Sequence, residues 1–97
     1  MEQFIIEIDQ NIYLAEAPDV IVNSINKHRK SFLKWLFDKN NDHKLWIIKD
    51  GKKSGVMYDA KDFIEYLNTY IITDKEKAKI IKKDFLANNK SYQKIYF

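Results

Sequence analysis

The chain has 97 residues, of which 45% are hydrophobic and 14% aromatic, and its formal net charge is +3. This composition predicts one globular domain over residues 1–97 and excludes a disordered chain. The lack of cysteine excludes disulfides and thiolate metal sites, and the N-terminal residues lack the basic start and apolar core of a signal peptide. We therefore expect a cytoplasmic protein with no membrane contact.

Charge is unevenly distributed along the chain. Residues 1–26 contain five acidic residues and no Lys or Arg, whereas residues 27–97 contain all seventeen basic residues and nine acidic ones. This division predicts a fold with an acidic end and a basic end. Sixteen of the seventeen bases are Lys, and with fourteen Ile and eight Asn this is the usage of an AT-rich genome. Part of the basicity is therefore attributable to codon bias.

The first part of the chain predicts strands followed by a long helix. Residues 4–8 are rich in β-branched side chains, a polar turn follows, and residues 12–15 are a candidate for a second strand. Pro18 suits the first turn of a helix that ends near residues 38–41. The apolar positions of this helix fall on one broad face; they are Ile21, Ile25, His28, Phe32, Leu33, Trp35 and Leu36.

Residues 45–58 predict a β-hairpin, because an Asp-Gly pair at 50–51 separates two apolar runs. A two-residue turn at that pair would place Leu45 opposite Val56. Both faces of the first hairpin strand are apolar, so we expect this strand to lie inside the main sheet or to be covered on both sides.

Two helices are predicted after the hairpin. Asp59 is a suitable N-cap for an amphipathic helix that extends to Ile72. Thr73 followed by Glu76 has the pattern of a capping box, which predicts a further helix over residues 74–87. The two helices would meet in a helix-turn-helix-like corner.

The tail, residues 88–97, is too apolar to remain in solvent, so we expect it to pack on the domain or on a partner. The predicted order of elements is β(β)αββαα. This order favours an α+β fold in which a three- to four-stranded antiparallel sheet packs against helices.

Residue patterns for catalysis, metals or cofactors are weak throughout the sequence. His28 and His43 have no second ligand at metal-binding spacing, and His28 suits a packed position while His43 suits a solvated loop. Residues 38–42 resemble the start of a calcium loop, but His43 stands in place of the required glycine and Lys49 in place of the glutamate. Residues 51–55 have the composition of a phosphate loop without its spacing. We therefore expect no enzyme activity, no metal and no cofactor.

The candidate contact residues are mainly in the last quarter of the chain. For a protein partner they are Lys75, Lys79, Ile80, Lys82, Lys83, Tyr92, Tyr96 and Phe97. For a nucleic acid they are Lys75, Lys79, Lys82 and Lys83 on the predicted helix and Lys52 and Lys53 at the hairpin tip. That helix has no Arg to read guanine, so nucleic-acid contact would be electrostatic, and a solvated Lys face is an equal alternative.

The sequence favours a small non-enzymatic binding protein of bacterial or phage origin, which acts by occupying a surface of another macromolecule, in the first place a protein. The alternative is a DNA- or RNA-binding accessory protein that uses the helix over 74–87. A small enzyme or ligand-binding protein with a pocket around His28 or Arg29 is a third hypothesis. The sequence leaves self-association open.

Overall fold

The computed structural model describes residues 1–86 and 91–97. The elements follow in the order β1 (Glu2–Ile8), β2 (Asn11–Ala17), α1 (Asp19–Val22), α2 (Ile25–Leu36), β3 (Trp46–Lys49), β4 (Lys52–Val56), α3 (Ala60–Tyr66), a π-helix (Leu67–Ile71), β5 (Lys79–Lys83) and β6 (Gln93–Tyr96). The strands form a four-stranded sheet in the order β5-β2-β1-β6 and a separate sheet of β3 and β4. The α+β class is confirmed, whereas the number and order of strands differ from the prediction.

The centre of the larger sheet is the antiparallel hairpin of β1 and β2, so the candidate second strand is confirmed. Its two-residue turn places Asp9 and Gln10 at φ values of 49° and 68°, as a type I′ turn requires. Strand β5 pairs antiparallel with β2, but β6 pairs parallel with β1. The predicted antiparallel sheet is therefore a mixed sheet.

The helices cover one face of this sheet, and the main core lies between them. Alternate residues of β1 and β2 point into the core, as the two-residue period of a strand requires; they are Phe4, Ile6, Ile8, Tyr13, Ala15 and Ala17. Phe32 of α2 lies at the centre. Its ring packs at centroid distances of 5.3–6.0 Å against Trp35, Tyr58, Phe63, Tyr66 and Phe97.

The predicted long helix is interrupted at Asn23 and Ser24, which separate α1 from α2. Asn and Ser hydrogen-bond readily to nearby backbone groups and therefore favour helix ends over helix interiors. The predicted apolar face is largely preserved, since Ile25, Phe32 and Leu36 are all buried.

The Asp-Gly turn of the second hairpin is confirmed, with positive φ at both Asp50 and Gly51. The prediction that this hairpin lies inside the main sheet is wrong. Strands β3 and β4 form their own sheet, which leaves Ile47 41% and Ile48 60% exposed. The positions beside β1 and β2 are taken instead by β6 and β5, which come later in the chain.

The pairing within this hairpin is displaced by one residue from the prediction. Trp46, not Leu45, lies opposite Val56, because the register shifts after Ile47. Ser54 is the extra residue on β4, and its hydroxyl donates to the Ile47 carbonyl at 3.1 Å.

The cap at Asp59 is confirmed, and the structure adds a capping box in which the Asp59 backbone N–H donates to the Asp62 carboxylate at 2.8 Å. The predicted helix is α-helical only to Tyr66 and continues as the π-helix Leu67–Ile71. The helix predicted over residues 74–87 is wrong, since residues 74–78 are irregular and Lys79–Lys83 form β5. The helix-turn-helix-like corner is therefore wrong as well. A local capping pattern is overridden here because Ile80 pairs opposite Ala15 at the edge of β2 and packs on the core. Ala87 lies outside the described residues.

The end of the tail packs on the domain. Ile95 of β6 is fully buried beside Ile6, and the Phe97 N–H donates to the Glu7 carbonyl at 2.9 Å. Residues 88–90 of the predicted tail lie outside the described residues. In the part of the chain that the structure describes, no helix has the length and apolarity needed to cross a membrane.

Candidate functional site

The sheet brings the acidic and basic parts of the chain together. The acidic strands β1 and β2 lie in the centre, and the Lys-containing strands β5 and β6 flank them. Lys79 of β5 forms an ion pair with Glu16 of β2 at 3.3 Å. The expected acidic end and basic end are therefore not separate, because strand pairing joins residues far apart in the sequence.

Strand β5 is a basic edge strand. Lys79, Lys82 and Lys83 are exposed on it, as is Ile81 at a β-bulge, while Ile80 packs against the core. Lys75 lies exposed in the preceding loop. In the described ranges, β5 pairs with β2 on one side and with no strand on the other. Such an edge presents unpaired backbone N–H and C=O groups.

A side chain of the π-helix holds the start of β5 in place. The Asn68 amide nitrogen donates to the Ala78 carbonyl at 2.9 Å, and the Asn68 amide oxygen accepts from the Ala78 N–H at 2.7 Å. Lys77 in turn donates to the Ile72 carbonyl at 2.8 Å, at the end of the π-helix. The edge strand is therefore fixed at its N-terminal end by side chains close to it in sequence.

Strand β6, at the opposite edge, is covered. Because the Phe97 N–H points toward β1, the alternation of a strand directs the backbone groups of Tyr96 outward. The Nε–H of Arg29 on α2 donates to that outward Tyr96 carbonyl at 2.9 Å. Among the described residues, a helix side chain thus occupies one outward carbonyl at the β6 edge, and no strand lies on the outer side of β5.

The other predicted contact residues are dispersed. Phe97 packs against the core, and Tyr92 is half-buried against Phe85 with a centroid distance of 5.6 Å. Tyr96 is exposed, with the Lys94 ammonium 5.6 Å from its ring centroid.

The two hairpin lysines differ from each other. Lys52 is exposed at the hairpin tip. Lys53 donates to the Asp42 carboxylate and the Lys39 carbonyl, and it lies over the Trp46 ring. The hydrogen bond from Lys53 lowers the pKa of Asp42.

The second face of the larger sheet, opposite the helices, is aliphatic and acidic at its centre. Ile5 and Leu14 lie opposite each other there and are only 2% and 6% exposed. By strand alternation, Glu7 and Glu16 share that face. A sheet that binds single-stranded nucleic acid offers aromatic rings for base stacking, and these central strands offer none on this face.

A cleft of about 290 Å³ lies between the end of α2, the loop before β3 and the α3–π segment. Trp35, Tyr66 and Tyr70 form one wall, and charged residues including Glu65 lie at its rim. We call it the aromatic cleft. The sequence does not reveal this cleft, because Trp35 lies on the apolar face of the first helix and the two tyrosines lie on the amphipathic helix predicted from Asp59, and only folding brings these helices together.

His43 is fixed by aromatic stacking and by backbone hydrogen bonds. His43 was expected to be solvated, but it stacks between Trp35 and Trp46 at centroid distances of 4.7 and 5.0 Å. Its Nδ1 accepts from the Leu45 N–H at 3.1 Å, so Nε2 carries the proton and donates to the Leu36 carbonyl at 2.7 Å. Both ring nitrogens are thereby engaged by backbone.

His28 is half-buried on α2, and burial lowers its pKa, with the charge of Lys27 as a second cause. Among the described residues, no three His, Asp or Glu side chains form a group that could hold a metal ion.

Comparison of the chain with models of protein families, with characterised proteins and with solved structures finds no match. The described residues define an α+β protein with a mixed four-stranded sheet, in which one edge strand carries exposed lysines and the other accepts a hydrogen bond from Arg29.

Proposed function

We propose that this chain is a non-enzymatic binding protein that takes an extended, acidic segment of a partner protein onto the free edge of β5. The contrast between the two sheet edges carries this proposal. Arg29 donates to the outward Tyr96 carbonyl at β6, whereas β5 carries exposed side chains and, within the described residues, has no strand on its outer side. Addition of a strand to an exposed sheet edge is a recurrent mode of peptide recognition.

The backbone of β5 supplies the first part of the interaction. The strand is five residues long, and main-chain hydrogen bonds to such an edge give affinity without regard to sequence. The two hydrogen bonds between the Asn68 side chain and the Ala78 backbone, one donated and one accepted by Asn68, hold the start of the strand in its paired conformation. A partner would therefore add to a strand that is already ordered, which lowers the entropic cost of binding.

The side chains of β5 supply selectivity. If two copies paired antiparallel about Ile81, Lys79 of each would face Lys83 of the other, and directly opposed like charges are unfavourable. An acidic strand paired with β5 would instead place carboxylates opposite these lysines, and the interaction would be attractive. The same lysines thus disfavour self-pairing and favour an acidic partner.

A nucleic acid is the competing partner for these lysines. The predicted recognition helix is replaced by a strand, and the centre of the second sheet face carries Glu7 and Glu16. The loss of the helix removes the element that would enter a groove. The carboxylates would repel an acidic peptide and a phosphate backbone alike, so the preference for a peptide rests on the strand edge, where a peptide can pair through its main chain and a phosphate backbone cannot.

A titration of ¹⁵N-labelled protein with a synthetic peptide of alternating Glu and Val tests the proposal. We expect the amide resonances of residues 79–83 to shift most. Changing Lys82 and Lys83 to Glu should weaken binding roughly fivefold or more. The matched control changes Lys49 and Lys52 to Glu, which alters the net charge equally at the exposed hairpin tip and should leave the affinity unchanged.

Two results would overturn the proposal. One is equal loss of binding in both double variants, which would show that only net charge matters. The other is that duplex DNA or single-stranded RNA binds more tightly than the acidic peptide and is lost in the β5 variant alone, which would favour the nucleic-acid alternative.

A further inference from the structure

The wall of the aromatic cleft consists of three rings in direct contact. The ring centroids of Trp35 and Tyr66 are 5.4 Å apart, those of Trp35 and Tyr70 are 5.7 Å apart, and those of the two tyrosines are 5.5 Å apart. Tyr70 is 60% exposed although it belongs to this cluster. Tyr70 therefore offers a ring that solvent or a ligand can reach, backed by the half-buried Trp35 and the buried Tyr66.

Both sides of the aromatic cleft are held in place. Tyr70 lies in the π-helix, a conformation that recurs at functional sites in proteins. Next to the cleft, the Asn41 amide donates to the Trp35 carbonyl at 3.1 Å, and the Trp46 indole N–H donates to the Asn41 carbonyl at 2.6 Å, which ties the end of α2 to the loop before β3. Together with the two backbone contacts of His43, these bonds preform the cleft and lower the cost of occupying it.

The rim of the aromatic cleft carries more negative than positive charge. Two carboxylates, those of Asp62 and Glu65, line it with one ammonium group, that of Lys44. Lys44 and Glu65 are 3.5 Å apart in an exposed ion pair. Exposed pairs of this kind contribute little to stability, so a ligand cation can replace Lys44 at little cost.

We propose that the aromatic cleft binds the guanidinium group of an arginine side chain. Aromatic faces and nearby carboxylates together attract organic cations. The three rings touch each other and do not surround a space, so they cannot enclose a quaternary ammonium group. A planar guanidinium can lie flat against a ring while its N–H groups donate to the carboxylate of Glu65. A cleft of about 290 Å³ has room for one such side chain.

The two tryptophans provide an internal control for a test by NMR. Trp35 lines the cleft, whereas Trp46 is separated from it by the stacked His43 ring. We expect Nα-acetyl-argininamide to shift the indole N–H resonance of Trp35, with saturation on the order of millimolar concentrations, and to leave that of Trp46 nearly unchanged. Nα-acetyl-lysinamide and tetramethylammonium should shift the Trp35 indole resonance less than Nα-acetyl-argininamide does. Free arginine is the last probe. If it binds more weakly than Nα-acetyl-argininamide, the natural ligand is an arginine side chain within a peptide.

Single substitutions test whether the arginine side chain binds at the aromatic cleft. Glu65→Gln and Tyr70→Ala should each weaken binding roughly fivefold, because one removes the carboxylate and the other an exposed ring. Glu76→Gln and Tyr96→Ala make the same changes at exposed positions elsewhere and should leave the affinity unchanged. Equal shifts with all three cations, or no shift of Trp35 at all, would overturn the proposal. Since β5 is not involved, this proposal and the proposed function can fail separately.

Discussion

Strands β5 and β6 are the two edge strands of the same sheet, but their outer edges are protected in different ways. Each flanks one strand of the central hairpin and has one side without a strand among the described residues. At β6, Arg29 reaches from α2 to the outward carbonyl of Tyr96. At β5, exposed lysines and a β-bulge at Ile81 protect the edge. A hydrogen-bond donor on an outward carbonyl hinders any added strand, whereas a charged edge disfavours like-charged strands and admits those of opposite charge.

The largest expected effect is a loss of stability on substitution in β6, the more deeply buried of the two edge strands. Ile95→Ala on β6 should lower the free energy of unfolding by about 2–5 kcal/mol, because its fully buried side chain would leave a cavity. Ile81→Ala on β5 should cost less than about 1 kcal/mol, since that side chain is 42% exposed. Urea denaturation measures both. Equal losses would mean that β5 is as deeply packed as β6.

A somewhat smaller effect is expected where β5 is held at its start. Asn68→Ala removes both hydrogen bonds to the buried Ala78 backbone and should cost about 1–3 kcal/mol. Hydrogen exchange of the amides in residues 79–83 should accelerate more than exchange in β6. Asn68→Asp, which keeps an acceptor for the Ala78 N–H, should have a smaller effect than Asn68→Ala. Unchanged exchange in β5 would show that Asn68 does not hold the strand.

Opening the covered edge tests the comparison directly. Arg29→Ala should cost about 1 kcal/mol of stability and expose the outward Tyr96 carbonyl, so that β6 becomes available for pairing. Sedimentation velocity should then show concentration-dependent self-association. Lys30→Ala, on an exposed position of the same helix, is the matched control and should behave as wild type. If both variants sediment alike, Arg29 does not protect the edge.

The smallest expected effect is a dependence on pH through His28 on α2, the helix that supplies Arg29. Burial lowers the folded-state pKa of His28 below its ordinary value of 6.5, so the unfolded chain takes up the proton more readily. This contribution to stability is complete above pH 6.5 and is lost as the pH falls toward the folded-state pKa. His28→Gln should therefore reduce the difference between urea midpoints at pH 7 and pH 5. An equal difference in the variant would contradict this assignment.

The sequence by itself determined the features that depend on neighbouring residues. The Asp-Gly turn at 50–51 forms because those two residues adopt positive φ readily, and the cap at Asp59 forms because a carboxylate can bind the free N–H groups of the next turn. The apolar face of α2 follows from its helical period in the same way.

The candidate surfaces were only partly visible in the sequence. Lys79, Lys82 and Lys83 could be named as candidates from charge, but on a helix that does not form. Only the tertiary structure decided that residues 79–83 form a strand, because the edge of β2 and the Asn68 side chain outweigh a local capping pattern. The Arg29 cap and the aromatic cleft likewise join elements distant in the chain. Such contacts depend on how elements pack, and the physical chemistry of a short stretch of sequence does not specify that packing.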